Sequence, residues 1–316
     1  MTSSKIIAVV GATGAQGGGL ARAMLADSGG GFAVRALTRH VESDKAKALA
    51  AAGAEVVSAD LDDEASLQRA FQGAHGAYLV TNFWEHFSPD REKAQAAAMA
   101  RAAKVAGLKH VIWSTLEDSR RYVPLADPRM PTLMGQYKVP HFDAKAEADQ
   151  FFIDAGVPTT FLLTSFYWEN LIHFGMGPKP GPDGALLWTM PLGTAKFPGI
   201  GVEDIGRCAY GVFKRGTVLT GQYVGIAGEH LTGEEMAAAL GQALGQSVRY
   251  NAVTPAQYRG FGFPGAEDLG NMFQFNHDFS ADFCRARSVE FTRTINPQLQ
   301  SFADWLALHG RAIPIT

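Results

Sequence analysis

Three glycines at the start of the chain are spaced so that they could hold a phosphate group. Gly11, Gly14 and Gly17 follow the apolar run Ile6–Val10, which has no polar alternation and is therefore typical of a buried parallel strand. Helix-forming residues continue from Leu20. Glycines at such a junction let the backbone turn tightly and approach a pyrophosphate, and the helix N-terminus adds N–H groups and partial positive charge. The spacing is Gly-x-x-Gly-x-x-Gly, not the usual Gly-x-Gly-x-x-Gly. The strand and helix around it favour a dinucleotide-binding turn over a purely structural one.

The end of the second predicted strand bears on which dinucleotide binds. NAD-specific sites usually place Asp or Glu there, to accept a hydrogen bond from the ribose 2′-hydroxyl. After the strand Phe32–Thr38 this chain has Arg39 and His40, with no carboxylate before Glu42. A guanidinium can hold a 2′-phosphate through two parallel hydrogen bonds. A surface arginine without a ligand is the alternative, and the glycine turn favours the 2′-phosphate and hence NADP(H).

Two further segments follow predicted strands. Asp60 comes directly after the third strand, where it could contact the adenine or cap the helix Glu64–Phe71, and the sequence leaves both open. Residues 81–84 follow the fourth strand, Gly76–Val80. In a doubly wound sheet such loops lie over the cofactor at the carboxyl ends of the strands.

The order of elements predicts the fold. Strand patterns and helix patterns alternate as far as Thr164, which favours an α/β fold with a doubly wound parallel sheet of the NAD(P)-binding Rossmann type. We expect residues 1–165 to form this domain. Residues 166–316 would complete the sheet and add a smaller, integral α+β lobe facing a substrate or partner. In that part Asp183-Gly184 predicts a hairpin, and we expect most of its aromatic residues to form a core: Tyr258, Phe261, Phe263, Phe273, Phe275 and Phe279.

The composition excludes several classes of protein. The chain has 316 residues, of which 47% are hydrophobic, and a net charge of −3, so we expect a globular protein without direct nucleic-acid binding. Its two cysteines, Cys208 and Cys284, lie far apart and show no metal-binding spacing. Apolar runs are only strand-length, and no signal peptide precedes the first strand. We therefore predict a cytoplasmic protein without a metal site or membrane span.

Several motifs in order resemble the NmrA-like family, which are atypical short-chain dehydrogenase/reductases. The resemblance covers nearly the whole chain and is strongest to family members of the NADPH-sensor type. The motifs that carry it are Gly11-Ala-Thr-Gly-Ala-Gln-Gly-Gly18, Thr81-Asn-Phe83, Val139-Pro-His-Phe-Asp-Ala-Lys145, Gly156-Val-Pro158, Tyr167-Trp-Glu-Asn170 and Gly262-Phe-Pro-Gly-Ala266.

The resemblance implies a set of contacts with NADP(H). The pyrophosphate would lie against Gly11, Ala12, Thr13, Gly14, Ala15, Gln16 and Gly17, and the 2′-phosphate against Arg39. The adenine, ribose and nicotinamide would contact Asp60, Leu61, Thr81, Asn82, Phe83, Lys145, Tyr167, Trp168, Glu169 and Asn170. The family also places a lysine on the helix after the fourth strand. This chain has Ala97 there, with Lys93 one turn earlier.

The resemblance also raises the question of catalysis. Active members of the wider superfamily use a Tyr-x-x-x-Lys pair, in which the lysine lowers the tyrosine pKa for proton exchange with the substrate. Here Lys145 is present, but His141 replaces the tyrosine, and the i,i+4 spacing keeps both on one helix face. Ser114 ends the fifth strand, where the superfamily keeps a polar group for the substrate oxygen. Either these residues are catalytic, with His141 as an acid or Lys145 acting alone, or Lys145 only binds ribose and His141 only caps or packs.

Two functions follow from these alternatives. The chain is expected to be an NADP(H)-dependent redox sensor that acts through a regulatory protein partner, with little or no catalysis. The alternative is an NADPH-dependent reductase of a small carbonyl or quinone. In either case we expect a monomer or homodimer.

Overall fold

A computed structural model of the chain describes residues 4–315. Its backbone packing divides them into two compact units. The first consists of the chain up to Asp118, Ala144–Thr164 and Glu203–Val224, and the second of Ser119–Asp143, Ser165–Val202 and the chain from Gly225 on. The predicted boundary at 165/166 lies at one of the points where the chain passes from one unit to the other, but the division into two consecutive domains stays a prediction.

Strands and helices alternate along the first half of the chain. The strands are β1 (Lys5–Val9), β2 (Phe32–Thr38), β3 (Glu55–Ser58), β4 (Gly76–Leu79), β5 (His110–Thr115), β6 (Thr159–Leu163), β7 (Phe166–Tyr167), β8 (Lys179–Pro180), β9 (Leu186–Met190), β10 (Phe197–Ile200), β11 (Tyr223–Gly225), β12 (Glu229–Leu231) and β13 (Val248–Ala252). The helices are α1 (Ala15–Ala26), α2 (Asp44–Ala51), α3 (Glu64–Phe71), α4 (Phe83–His86), α5 (Pro89–Val105), α6 (Pro140–Asp154), α7 (Asn170–His173), α8 (Val202–Lys214), α9 (Gly233–Leu244), α10 (Pro255–Arg259), α11 (Ala266–Asp278), α12 (Ser280–Arg285), α13 (Val289–Ile295) and α14 (Phe302–His309).

A seven-stranded sheet with the order β11-β6-β5-β4-β1-β2-β3 forms the centre of the first unit. Strands β1 to β6 pair in parallel, which confirms the predicted doubly wound sheet. The chain leaves β1 towards β2 on one side, and β4 pairs on the other side. The strand order therefore reverses between β1 and β4, and ligands of such sheets bind beside the carboxyl ends at this point.

The apolar strands are buried on both faces, as the sequence predicts. Ile7, Ala8 and Val9 of β1 are fully buried, because helices cover both faces of a parallel sheet. One small difference concerns β5, which extends through Thr115, so that Ser114 is the last residue but one of the strand and does not end it.

The second unit contains two three-stranded sheets, β12-β10-β7 and β13-β9-β8, and most of the later helices. The predicted hairpin is confirmed, since β8 and β9 pair antiparallel and Gly184 between them has a φ of 82°. Tyr258, Phe273 and Phe275 are buried, whereas Phe261 and Phe263 are exposed. The predicted aromatic core is therefore correct for only part of the set.

Three further features of residues 4–315 concern membrane-spanning helices, metal-binding clusters and the cysteines. No described helix is long and apolar enough to cross a membrane. No cluster of metal-binding side chains occurs in the same part of the chain. Neither Cys208 nor Cys284 forms a disulfide, and Cys208 is buried.

Candidate functional site

We call residues 11–17 the phosphate turn. Its three glycines have different geometries. Gly11 has a φ of +64°, which favours glycine. A Cβ on Gly17 would lie 2.4 Å from the carbonyl oxygen of Val10, so Gly17 lets helix α1 pack closely on the end of β1. Gly14 is exposed, and its nearest obstacle to a Cβ is the Gly11 oxygen at 3.2 Å. The backbone is therefore held by the outer glycines, and the middle one is exposed, with only the Gly11 carbonyl oxygen close to where its Cβ would lie.

The N-terminus of α1 differs from those of its neighbours. Helices α2, α3 and α5 are capped by the side chains of Ser43, Asp63 and Ser88. The N-cap of α1 is Gly14, which offers no side-chain hydrogen bond, and the first turn has no acidic residue. An anion is stabilised at such a terminus by N–H groups and by the helix dipole. The turn therefore fits a pyrophosphate.

The other residues of the phosphate turn lie around this opening. Ala12 is buried, Thr13 is partly buried and Ala15 is exposed. The hydroxyl of Tyr78 on β4 donates to the side-chain oxygen of Gln16. The N–H of Val10 donates to the Tyr78 carbonyl at 3.0 Å, so the turn begins directly beside the end of β4.

Arg39 follows β2 and is paired with a carboxylate that the sequence analysis missed. Its Nη1 and Nη2 donate to Oε1 and Oε2 of Glu85, at 2.6 and 3.1 Å. Both side chains are about half exposed. The hydrogen bonds with Arg39 lower the pKa of the Glu85 carboxyl and raise that of the guanidinium. Only the position of Glu85 four residues after Thr81, in the loop predicted to cover the cofactor, could have indicated this role.

Asp60 does not cap the following helix. The N-cap of α3 is Asp63, whose Oδ1 accepts from the N–H of Ser66 at 3.2 Å. Asp60 is exposed, and its Oδ1 accepts from the N–H of Asp62. The capping alternative is therefore wrong, and a contact between Asp60 or the partly buried Leu61 and the adenine stays a prediction.

The loop after β4 is partly buried. Asn82 is exposed, whereas Thr81 and Phe83 are buried. The ring of Phe83 packs against the rings of Trp84 and Phe87 at centroid distances of 5.6 and 6.3 Å. Of the three predicted cofactor contacts in this loop, Asn82 presents the most exposed side chain.

Lys145 lies in a buried network with Thr81 and Glu92, which we call the lysine cluster. Its Nζ lies 2.6 Å from Oε1 of Glu92, 2.7 Å from Oγ1 of Thr81 and 3.3 Å from the Thr81 carbonyl oxygen. The Thr81 hydroxyl in turn donates to Oε1 of Glu92. Glu92 is fully buried and Lys145 almost so. Sequence reasoning missed Glu92 because an acidic residue in the first turn of a helix is ordinarily an exposed one favoured by the dipole.

Two titratable groups lie beside the lysine cluster. Nδ1 of His86 accepts from the N–H of Ser88, and its Nε2 lies 3.6 Å from Oε2 of Glu92, beyond hydrogen-bond distance. Burial lowers the pKa of His86. One turn after Lys145, Asp149 accepts from Trp113 and Tyr223, each at 2.9 Å. Burial raises the pKa of the Asp149 carboxyl to about 6.

Ser114 and Lys93, which the sequence analysis also names, lie in the first unit. Ser114 is buried on β5, opposite Leu162 of β6. Lys93 forms ion pairs with Asp90 and with Glu147, at 3.4 and 3.0 Å. Whether Lys93 replaces the lysine that the family keeps on this helix stays open.

The remaining predicted residues lie in the second unit. Trp168 is buried against the rings of Phe302 and Trp305. The two carboxylate oxygens of Glu169 accept from the Trp305 indole and from the N–H of Val202, at 2.9 and 3.0 Å. Tyr167 ends β7 and is partly buried, and Asn170 begins α7. A contact between these residues and a cofactor stays a prediction.

His141 also lies in the second unit and is held by a carboxylate. Its ring Nδ1 lies 2.6 Å from Oδ1 of Asp268, and its backbone N–H donates to Oδ2 of the same residue at 3.2 Å. Both side chains are buried. The structure therefore supplies a partner for the histidine that replaces the superfamily tyrosine, and this partner is 127 residues away in sequence.

Known proteins resemble this chain in sequence and in fold. An NmrA-like family domain-containing oxidoreductase of Cladobotryum sp is 30% identical, over 85% of this chain and 83% of that protein. The NAD(P)H azoreductase of Xenophilus azovorans is also 30% identical, over 82% of each. The solved structure of NmrA, a negative transcriptional regulator, in complex with NADP gives a TM-score of 0.75 at 23% identity, covering 97% of this chain and 95% of that one. The same regulator has also been crystallised with NAD.

The family match extends over almost the whole chain. Residues 3–306 match the NmrA-like family, whose members include regulators and oxidoreductases and bind nicotinamide cofactors. The predicted family and the predicted Rossmann-type fold are thereby confirmed. The chain belongs to the NmrA-like family.

Proposed function

We propose that this protein binds NADP(H) and acts as a cytoplasmic redox sensor, with little or no turnover of a substrate. The phosphate turn receives the pyrophosphate, and Arg39 receives the 2′-phosphate. Asp60, Leu61 and the loop Thr81-Asn-Phe83 line the rest of the cofactor in the first unit. Residues 166–316 provide the surface that a regulatory partner reads. The fit of the phosphate turn to an anion supports the binding part of this proposal.

The lysine cluster is the observation that carries the sensor part. An ammonium group has three N–H donors, and the three short contacts of Lys145 are with Thr81 and Glu92 of its own protein. A general acid must point its proton at the substrate atom that receives it. Lys145 would have to leave a buried ion pair before it could do so.

The position of the missing tyrosine supports the same proposal. His141 is bound through its Nδ1 and its backbone N–H to Asp268. A histidine anchored in this way can stabilise the start of α6 without exchanging a proton with a substrate. We therefore assign His141 and Lys145 to the structure of the protein and not to catalysis.

The sensor proposal is tested by comparing the two redox forms of the cofactor. Calorimetric titration of the full chain should show binding of both NADP⁺ and NADPH. Hydrogen exchange should then show segments beyond the phosphate turn whose protection differs between the two complexes. Identical exchange patterns for both complexes would contradict a sensor.

The second candidate is an NADPH-dependent reductase. It is favoured by the similarity to an oxidoreductase and to an azoreductase. An azo or quinone acceptor would take hydride from the nicotinamide and protons from water, so that neither Lys145 nor His141 would need to move. Steady oxidation of NADPH with a panel of azo dyes and quinones would favour this candidate.

A further inference from the structure

The ion pair between Arg39 and Glu85 has the geometry that a 2′-phosphate would need. The two N–H groups of Arg39 donate in parallel to the two oxygens of the Glu85 carboxylate, at 2.6 and 3.1 Å. Arginine binds phosphate through the same planar pair of donors. Glu85 and a 2′-phosphate would therefore compete for the same pair of donors on the Arg39 guanidinium.

The charges around the Arg39–Glu85 ion pair also disfavour the binding of a 2′-phosphate. Asp60 and Asp62 both act on the Arg39 guanidinium. Asp62 is itself paired with Arg91. Around Arg39 these described residues supply three carboxylates and two guanidinium groups, so the local charge is negative while Glu85 is present. A 2′-phosphate, with nearly two negative charges, would enter an unfavourable field there.

The fold also brings a carboxylate to a place where the sequence shows none. NAD-specific sites use an acidic residue at the end of the second strand, and none follows β2 before Glu42. Glu85 reaches the same point from α4, the short helix after β4. The Glu85 side chain is 40% exposed, and its carboxylate oxygens can accept from a ribose 2′-hydroxyl.

We propose that Glu85 determines the cofactor specificity of this protein, by competing with the 2′-phosphate of NADP(H) for Arg39 and by accepting the 2′-hydroxyl of NAD(H). This inference rests on the proposed binding of the cofactor at the phosphate turn. It means that the preference for NADP(H) conferred by Arg39 is reduced, and that NAD(H) binds with comparable affinity.

The test compares dissociation constants for NADPH and NADH in the wild type, Glu85→Gln and Glu85→Ala. Both variants free Arg39, so each should bind NADPH about 5-fold more tightly, the usual size of an exposed ion pair. Glu85→Ala also removes the acceptor for the 2′-hydroxyl and should bind NADH about 5-fold more weakly, the size of one net hydrogen bond.

The matched control is Glu55→Gln. Glu55 forms an ion pair of 2.7 Å with Arg35 of β2, four residues before Arg39, and is similarly exposed. Removing this carboxylate changes the net charge by the same amount and should leave both dissociation constants unchanged. If Glu55→Gln lowered the dissociation constant for NADPH as much as the Glu85 variants do, the effect would be one of general charge. That result would overturn the role of Glu85.

A further variant separates this inference from the proposed function. If Arg39→Ala weakens NADPH while the Glu85 variants leave the ratio of the two dissociation constants unchanged, the 2′-phosphate site stands and the inference about Glu85 is overturned. If Arg39→Ala affects neither cofactor, the 2′-phosphate lies elsewhere and both fail.

Discussion

The phosphate turn and the lysine cluster lie beside the same sheet but differ in what they leave available. The phosphate turn ends in a helix N-terminus without a capping side chain, and its middle glycine is exposed. In the lysine cluster a buried ammonium, one carboxylate oxygen and a hydroxyl are hydrogen-bonded to one another, and the second oxygen of Glu92 is buried without a hydrogen-bond partner. The first region is prepared for an anionic ligand, whereas the second is already occupied by its own protein. This difference is the basis of the proposal that the chain binds the cofactor without using Lys145 for catalysis.

The largest effect is expected from closing the phosphate turn. Gly14→Val places a branched side chain above the turn, where the pyrophosphate must approach, and should abolish binding of NADPH and NADH in calorimetry. The protein should still fold, because Gly14 has a φ of −94° that valine can adopt. Gly29→Val, in an exposed loop with its nearest obstacle at 3.8 Å, is the control and should bind normally. Micromolar binding by Gly14→Val would show that the phosphate lies elsewhere.

A large loss of stability is expected from breaking the lysine cluster. Lys145→Met leaves the fully buried Glu92 without its counter-charge, so the free energy of unfolding in urea should fall by about 3–5 kcal/mol. Replacing Glu92 with Leu in the same chain should restore much of this loss, since no charge then remains buried.

The control for this prediction is Lys93→Met. Lys93 pairs with Asp90 and Glu147 but is partly exposed, so the loss should be about 0–1 kcal/mol. Equal losses in the two variants would mean that the lysine cluster is open to solvent and no different from a surface pair.

The pH dependence of the free energy of unfolding should show that Asp149, beside the lysine cluster, is shielded from water. Because the pKa of Asp149 is raised to about 6, the folded protein keeps a proton that the unfolded chain releases from about pH 4 upward. The free energy of unfolding should therefore fall as pH rises from about 4 to about 6. At neutral pH the buried, ionised Asp149 should lower it by about 2–3 kcal/mol. Asp149→Asn should remove this part of the slope in urea unfolding measured between pH 4 and 7. An unchanged slope would show that Asp149 is solvated.

The smallest effect concerns cofactor choice. Arg39→Ala should weaken the binding of NADPH by about 1.5 kcal/mol, the low end for a charged hydrogen bond. The effect is small because Glu85 already occupies the guanidinium. NADH binding should be nearly unchanged. Equal weakening of both cofactors in calorimetry would remove Arg39 from the 2′-phosphate.

Local patterns were sufficient to predict the sheet and the phosphate turn. The run before Gly11 shows the burial of β1, and β2 and α3 have the predicted bounds, since glycines lie just before β2 and just after α3. The sequence leaves the role of Asp60 open between adenine contact and helix capping because Asp60 and Asp63 are both acidic and only three residues apart, and only the folded structure distinguishes their hydrogen bonds.

Pairings between distant residues could not be predicted in the same way. Glu92 and Lys145 are 53 residues apart, and Arg39 and Glu85 are 46 apart. Nothing in the local sequence of either partner marks it as paired, since the contact depends on which strands are neighbours in the sheet. For this reason the sequence indicated Arg39 and Lys145 as cofactor ligands but did not show that each already has a carboxylate partner.

The most direct test of the central claim measures turnover in the wild type and in Lys145→Met/Glu92→Leu, which lacks both charges of the lysine cluster. NADPH oxidation is followed at saturating cofactor with carbonyl, quinone and azo substrates, after calorimetry has shown that both proteins bind NADPH. We predict no steady oxidation by the wild type and no difference between the two proteins. Robust wild-type turnover would contradict the account, and a fall of about 100-fold in the variant with NADPH affinity intact, the usual size of acid–base catalysis, would assign the proton transfer to the lysine cluster.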